Sequence, residues 1–134
     1  METTTRRPVN PSTWSHRLGF DQGLLTATPS ALLTIAAQGP LDGRGRLLHD
    51  GDPPAQLALT LANIAEVLSL AGMSWSDIVQ LRVYTTDLEV LLDAYDTLVE
   101  HLCGEGARPP STIVEVSRLL VPGMTVTIDA LAAQ

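Results

Sequence analysis

Residues 78–85, Ile-Val-Gln-Leu-Arg-Val-Tyr-Thr, alternate as a strand does and lie between two segments whose apolar residues recur at helical spacing. On the strand, Val79, Leu81, Val83 and Thr85 read as the buried side, and Ile78, Gln80, Arg82 and Tyr84 as the other. The preceding segment carries one stripe of Leu57, Leu61, Ile64, Leu68 and Ala71. The following one carries Leu88, Leu91/Leu92, Tyr95, Leu98/Val99 and Leu102. Two helices with a single apolar stripe each need a shared sheet to cover them. That requirement predicts an α+β fold, a two-layer sandwich with two helices on one face of a mixed sheet.

Local signals set the boundaries. Asp52 is placed to cap the first helix, with Pro53 and Pro54 tolerated in its opening turn and Gly72 closing it. Asp87 caps the second, which Gly104 closes. Upstream, 18–28 and 31–37 read as two strands joined at Pro29-Ser30. A Gly-rich turn at 41–46 precedes a short edge segment at 47–49; with no Gly-Lys-Ser/Thr it does not follow a nucleotide-loop pattern. In the last strand Met124, Val126, Ile128 and Ala130 face one way, and Thr125, Thr127 and Asp129 the other. The order is ββ(β)αβαββ, with a polar, Pro-punctuated arm at 1–13 and a single domain at 14–134. Helices on one side leave the opposite sheet face for a neighbouring subunit, so an oligomer is expected.

Composition removes several chemistries. A net charge of -7 disfavours a nucleic-acid partner, because phosphate binding needs a positive surface. The basic residues are all Arg, so no lysine side chain can form a Schiff base. His16, His49 and His101 lie far apart and the one cysteine has no Cys or His at ligand spacing, which predicts no metal. No cofactor motif is present. Cys103, beside Leu102 in a helical pattern, reads as a buried structural thiol. Glu89, Asp93, Asp96 and Glu100 read as the solvated side of the second helix. No run approaches the roughly 20 apolar residues of a membrane span. The polar start lacks the apolar stretch of a secretory leader, so a cytoplasmic, soluble protein is the expectation.

Several stretches stand in a telling order. They are Gln56 with Asn63-Ile64 and Ala71-Gly72; Ser76-Asp77-Ile78-Val79 running to Val83-Tyr84-Thr85-Thr86-Asp87-Leu88; Ala107-Arg108-Pro109-Pro110-Ser111-Thr112-Ile113-Val114-Glu115-Val116; and Met124 to Asp129. In this order and spacing, over about 14–133, the chain resembles the RidA (YjgF/YER057c/UK114) family, some of whose members hydrolyse reactive enamines and imines. The resemblance implies a chorismate-mutase-like fold assembled as a homotrimer, with sheets forming a central barrel and clefts at the subunit interfaces. Some relatives are described as ribonucleases or translation inhibitors, a role the acidic balance argues against here.

The same resemblance shows where this chain departs. The deaminases' carboxylate-binding Arg is replaced by Ser111, and their final-strand Glu by Thr127. Arg108, three residues before Ser111, reads either as a substitute clamp or as a solvated loop arginine. Asp129 reads either as a replacement carboxylate or as the family's second, structural acid. The active-site Tyr becomes Phe20, an Asn of the second helix becomes Leu92, and the Gly of a Gly-Gln turn becomes Ala37, whose backbone carbonyl remains able to hold a water. Asn10-Pro11-Ser12-Thr13-Trp14-Ser15-His16 resembles a stretch of a branch unlike the deaminases. There Trp14 would wall the cleft or anchor the arm, and His16 would act as acid/base or stay solvated.

A cleft that has lost charged and hydrogen-bonding groups binds small carboxylates poorly. The expected function is therefore a divergent enzyme acting on a small, neutral imine-, enamine- or enol-like metabolite by hydrolysis, deamination or tautomerisation. Ser111, Thr127, His16 and Asp129 are its candidate catalytic residues, and Trp14, Phe20, Ala37, Leu92 and Arg108 its candidate binding residues. The alternative is a non-catalytic trimer that binds a small molecule or serves as a scaffold.

Overall fold

The computed structural model describes residues 6–134. A four-stranded mixed sheet has the order β3-β6-β4-β5, built from β3 (Leu32–Gln38), β4 (Ile78–Thr85), β5 (Ser111–Glu115) and β6 (Val126–Ala133). The strand β6 runs antiparallel to both of its neighbours, whereas β4 and β5 are parallel. Parallel neighbours need a long crossover. Here it is made by two helices, α2 (Leu88–Asp93) and α3 (Tyr95–Gly104), while α1 (Pro53–Leu70) carries the chain from β3 to β4 across β6.

The helices cover one face, as their single stripes require. Leu57, Leu61, Ile64 and Leu68 of α1 and Leu91, Tyr95, Leu98 and Leu102 of α2 and α3 form one core with Leu81, Val83, Val126, Ile128, Ala130 and Ala132 of the sheet. Each Leu, Ile or Val among them contributes about 1.5–3 kcal/mol by leaving water. The opposite face carries Thr34, Ala36, Gln80, Arg82, Thr112 and Val114, all exposed, together with half-buried Tyr84, Asp129 and Leu131. Leu32, next to them at the edge, is 60 % exposed.

Five expectations are adjusted. The 18–28 segment narrows to β2 (Gly23–Thr26), which pairs with β1 (Arg6–Val9) of the arm in a separate two-stranded sheet and not with β3. Residues 1–5 of that arm lie outside the described residues. The 47–49 edge segment is no strand; Leu47 makes one isolated bridge to Leu41. The second helix breaks at Ala94, which no Gly or Pro announces, and this turns Leu92 outward at 50 % exposure. Cys103 is exposed, contrary to the buried thiol expected from its neighbour Leu102. Buried Ile78 is the remaining exception on β4: a register shift between Ile78 and Gln80 lets it face the core with Leu81.

Both helix caps form as expected. The Asp52 carboxylate accepts from the Ala55 N–H and Asp87 from the Val90 N–H. Gly123 is required where it stands: its φ is +92°, and a Cβ there would meet Leu47 at 2.6 Å.

Gln56 holds the 119–125 loop to α1. Fully buried, it donates to the carbonyls of His49 (3.1 Å) and Gly123 (3.0 Å) and accepts from the N–H and hydroxyl of Thr125 (2.8 and 2.9 Å). Gln56→Leu keeps the volume but removes these hydrogen bonds, each worth about 0.5–1.5 kcal/mol. A fall in the urea midpoint of unfolding at unchanged slope is the expected reading.

Candidate functional site

The arm and the loop before β5 come together in one hydrogen-bonded knot. The Asn10 side chain donates to Asp21 Oδ1 (2.9 Å) and accepts from the Gln22 N–H (2.8 Å), and the Gln22 amide donates to the Ser12 carbonyl (2.8 Å). The Asp21 N–H donates to the carbonyl of Arg108 (3.2 Å), joining this segment to the loop that leads into β5. Gly19, in a left-handed turn at φ +83°, ends the short 3-10 turn His16–Leu18 and redirects the chain to Phe20. Tyr95 fixes that turn from beneath, its hydroxyl donating to the Leu18 carbonyl (2.7 Å); burial pushes the phenol's pKa up.

Against this knot lies an open depression of about 460 Å3, lined by Trp14, Phe20, Gln22, Gln80, Pro110, Ser111 and Thr112. Phe20 is nearly buried, and Trp14, 58 % exposed, meets it edge-on with ring centroids 5.7 Å apart. The rings wall one side and Ser111, Thr112 and Gln80 provide polar groups on the other. The Ser111 hydroxyl donates to the Pro109 carbonyl (2.8 Å).

Arg108 does not line this depression. Its Nε lies 3.9 Å from Asp21 Oδ1, and Nη2 donates to the His16 carbonyl at 3.5 Å. His16 is exposed, and its backbone oxygen, not its ring, enters these contacts.

The other candidates lie elsewhere in the protomer. Thr127 is buried on β6, opposite Tyr84 and near Gly39. Ser111 pairs with Leu81, three positions away along β4 and on the other sheet face, so the two hydroxyls are separated by roughly 10 Å along the strand alone. Asp129 is committed to Arg82, whose Nε donates to it at 2.7 Å; that hydrogen bond holds the Arg82 pKa above its ordinary value. Ala37 lines a second depression of about 320 Å3, beside the Gly-rich turn and α1. There the Asp42 carboxyl is held below its usual pKa by the Arg46 and then the Arg44 backbone N–H groups. Leu92 lines none of these depressions. Among the described residues, no group of three His, Cys, Asp or Glu side chains is placed to hold a metal ion, and no helix is long and apolar enough to cross a membrane.

Four participants went unmentioned in the sequence reading of the site: Asn10 as a pin, Asp21, Gln22 and Gln80. Asn10 and Asp21 bracket the Trp14 stretch in sequence, but only the folded arm brings their side chains to 2.9 Å.

Comparison with known proteins agrees with this fold. The family model described as endoribonuclease L-PSP matches residues 22–134. A RutC family protein of Pyrococcus horikoshii is 33 % identical over 100 residues, covering 75 % of this chain and 77 % of the relative. The Rid-family protein YyfB of Yersinia pestis superposes with a TM-score of 0.85 at 28 % identity, covering 96 % of this chain and 98 % of its own. TdcF of E. coli, solved with bound serine, shares the fold at a TM-score of 0.69 and 24 % identity, covering 86 % and 87 % of the two chains. With the two-layer α+β sheet and the matched 22–134 span both in place, the chain belongs to the endoribonuclease L-PSP family, the RidA (YjgF/YER057c/UK114) group.

Proposed function

We propose that this protein binds a small, neutral imine-, enamine- or enol-like metabolite in the aromatic-walled depression and hydrolyses, deaminates or tautomerises it. The observation that carries the reading is the pairing of Arg108 with Asp21. The cation nearest to Ser111 in sequence already has its counter-charge, so the depression offers rings, amides and hydroxyls but no spare guanidinium. A carboxylate entering such a site would lose water without gaining a charged partner.

Within one protomer Ser111 and Thr127 lie on opposite sheet faces, so a site using both needs two chains. The helix-free sheet face supports the homotrimer implied by the family resemblance, with Thr127 of one protomer approaching Ser111 of the next. Ser111 would hold the substrate's nitrogen or oxygen, and Thr127 and a backbone carbonyl near Ala37 a water; exposed His16, two residues after Trp14, would be the acid/base. Asp129, held by Arg82, serves the sheet rather than the chemistry.

The test is hydrolysis of the enamine released from serine or threonine by a dehydratase, compared with a neutral cyclic imine. Turnover is expected for the neutral compound and near-background rates for the carboxylate-bearing enamine. Deaminase-like rates on the latter would refute the neutral-ligand assignment. A second reading, a binding trimer without catalysis, is favoured by one fact: the candidate carboxylate Asp129 is engaged in an ion pair with Arg82. Neutral-ligand binding that persists with no turnover, unaffected by substitution of Ser111, Thr127 or His16, would establish it.

A further inference from the structure

We infer that Asp21 is the specificity-determining residue of this site, acting by holding Arg108 away from the ligand; the inference rests on the neutral-ligand reading above. Both partners of the pair belong to segments that build the depression. Asp21 lies between Phe20 and Gln22, which both line it, and Arg108 lies two residues before Pro110 and three before Ser111. Asp21 is itself fixed from two directions, by the Asn10 side chain and by its own N–H on the Arg108 carbonyl. Its carboxylate is thus held in place and largely buried, whereas the Arg108 guanidinium is 41 % exposed and makes only long contacts, 3.9 Å to Asp21 and 3.5 Å to the His16 carbonyl.

Such an arrangement is easily redirected. At 3.9 Å the fixed acid restrains the half-exposed arginine through charge more than through a well-formed hydrogen bond, so removing the charge alone releases it. Freed, Arg108 has the length to turn toward Ser111, and a guanidinium is suited to forking onto a carboxylate. Asp21→Asn is the fitting change, because its amide oxygen still accepts from Asn10 while the negative charge is gone.

The experiment is isothermal titration of benzoate and of neutral benzamide into wild type, Asp21→Asn, Arg108→Gln and the double variant, with circular dichroism melting to confirm folding. Wild type is expected to prefer benzamide. Asp21→Asn should gain at least about tenfold in benzoate affinity, a difference of about 1.4 kcal/mol, and the double variant should lose that gain. If folded Asp21→Asn gains nothing while benzamide still binds, the role of Asp21 is refuted and the neutral-ligand reading stands. If wild type prefers benzoate and Arg108→Gln abolishes it, Arg108 is already the clamp and both fail. If wild type prefers benzoate and Arg108→Gln leaves that unchanged, the neutral-ligand reading fails on its own. Binding of neither probe by any variant overturns both.

Discussion

A Ser111→Arg variant is expected to bind free serine roughly 10- to 100-fold more tightly than the wild-type chain, the gain that one charge-assisted, two-pronged contact supplies. Ser111 opens β5, is half-buried and lines the depression, so a longer side chain there has open space beside it. Asp21 is already partnered by Arg108, which leaves the new guanidinium free for the ligand's carboxylate. The cost is small: the wild-type hydroxyl makes one local hydrogen bond, to the Pro109 carbonyl. Serine is a fitting probe because it is small and carries a free carboxylate for a guanidinium to grip. Titration calorimetry decides the matter. A folded variant with no gain would show that the anion-binding position is not at residue 111.

Ile128→Ala is expected to lower stability by about 2–5 kcal/mol, the range for removing a large aliphatic side chain from a rigid core. Ile128 has no exposure and sits on β6, hydrogen-bonded to β3 on one side and β4 on the other. Helices close over its side chain, so the cavity has little room to collapse. For a chain of this size the melting temperature should fall on the order of 10 °C. Substituting exposed Leu92 with Ala should move it by very little, since that side chain is half in solvent. A comparable loss at both positions would mean that the helical layer is not seated as described.

The two results probe different layers of what the sequence could disclose. Elements with one buried face were legible because periodicity reports which side leaves water. The β4 boundaries match the alternating run, and α1 starts at its Asp52 cap as expected. Features set by contacts between distant segments were not legible. Nothing local distinguished Cys103, exposed, from Leu102, buried beside it. The break at Ala94 sends Leu92 outward although either Leu91 or Leu92 fits a continuous helical stripe. The arm looked like a polar extension, yet Arg6–Val9 pairs with β2 through its backbone, whose hydrogen bonding side-chain polarity does not report.

The candidate site divides in the same way. Trp14, Phe20 and Ser111 stood out through the family resemblance, and the fold gathers them around one depression. The two readings of Arg108 were a different matter, since a loop arginine's direction depends on which charges the fold brings near it. Asp21 and Arg108 are separated by 86 intervening residues and meet only because the arm folds back on the loop before β5.

By itself, the order of residues determined the layers of this protein: apolar periodicity names a buried face wherever it occurs, and two single-striped helices with alternating strands admit one arrangement. What the tertiary structure alone decided is where charge goes. Coulombic partners are chosen by distance through space, and neither the commitment of Asp129 to Arg82 nor that of Arg108 to Asp21 is written in the spacing of either residue along the chain.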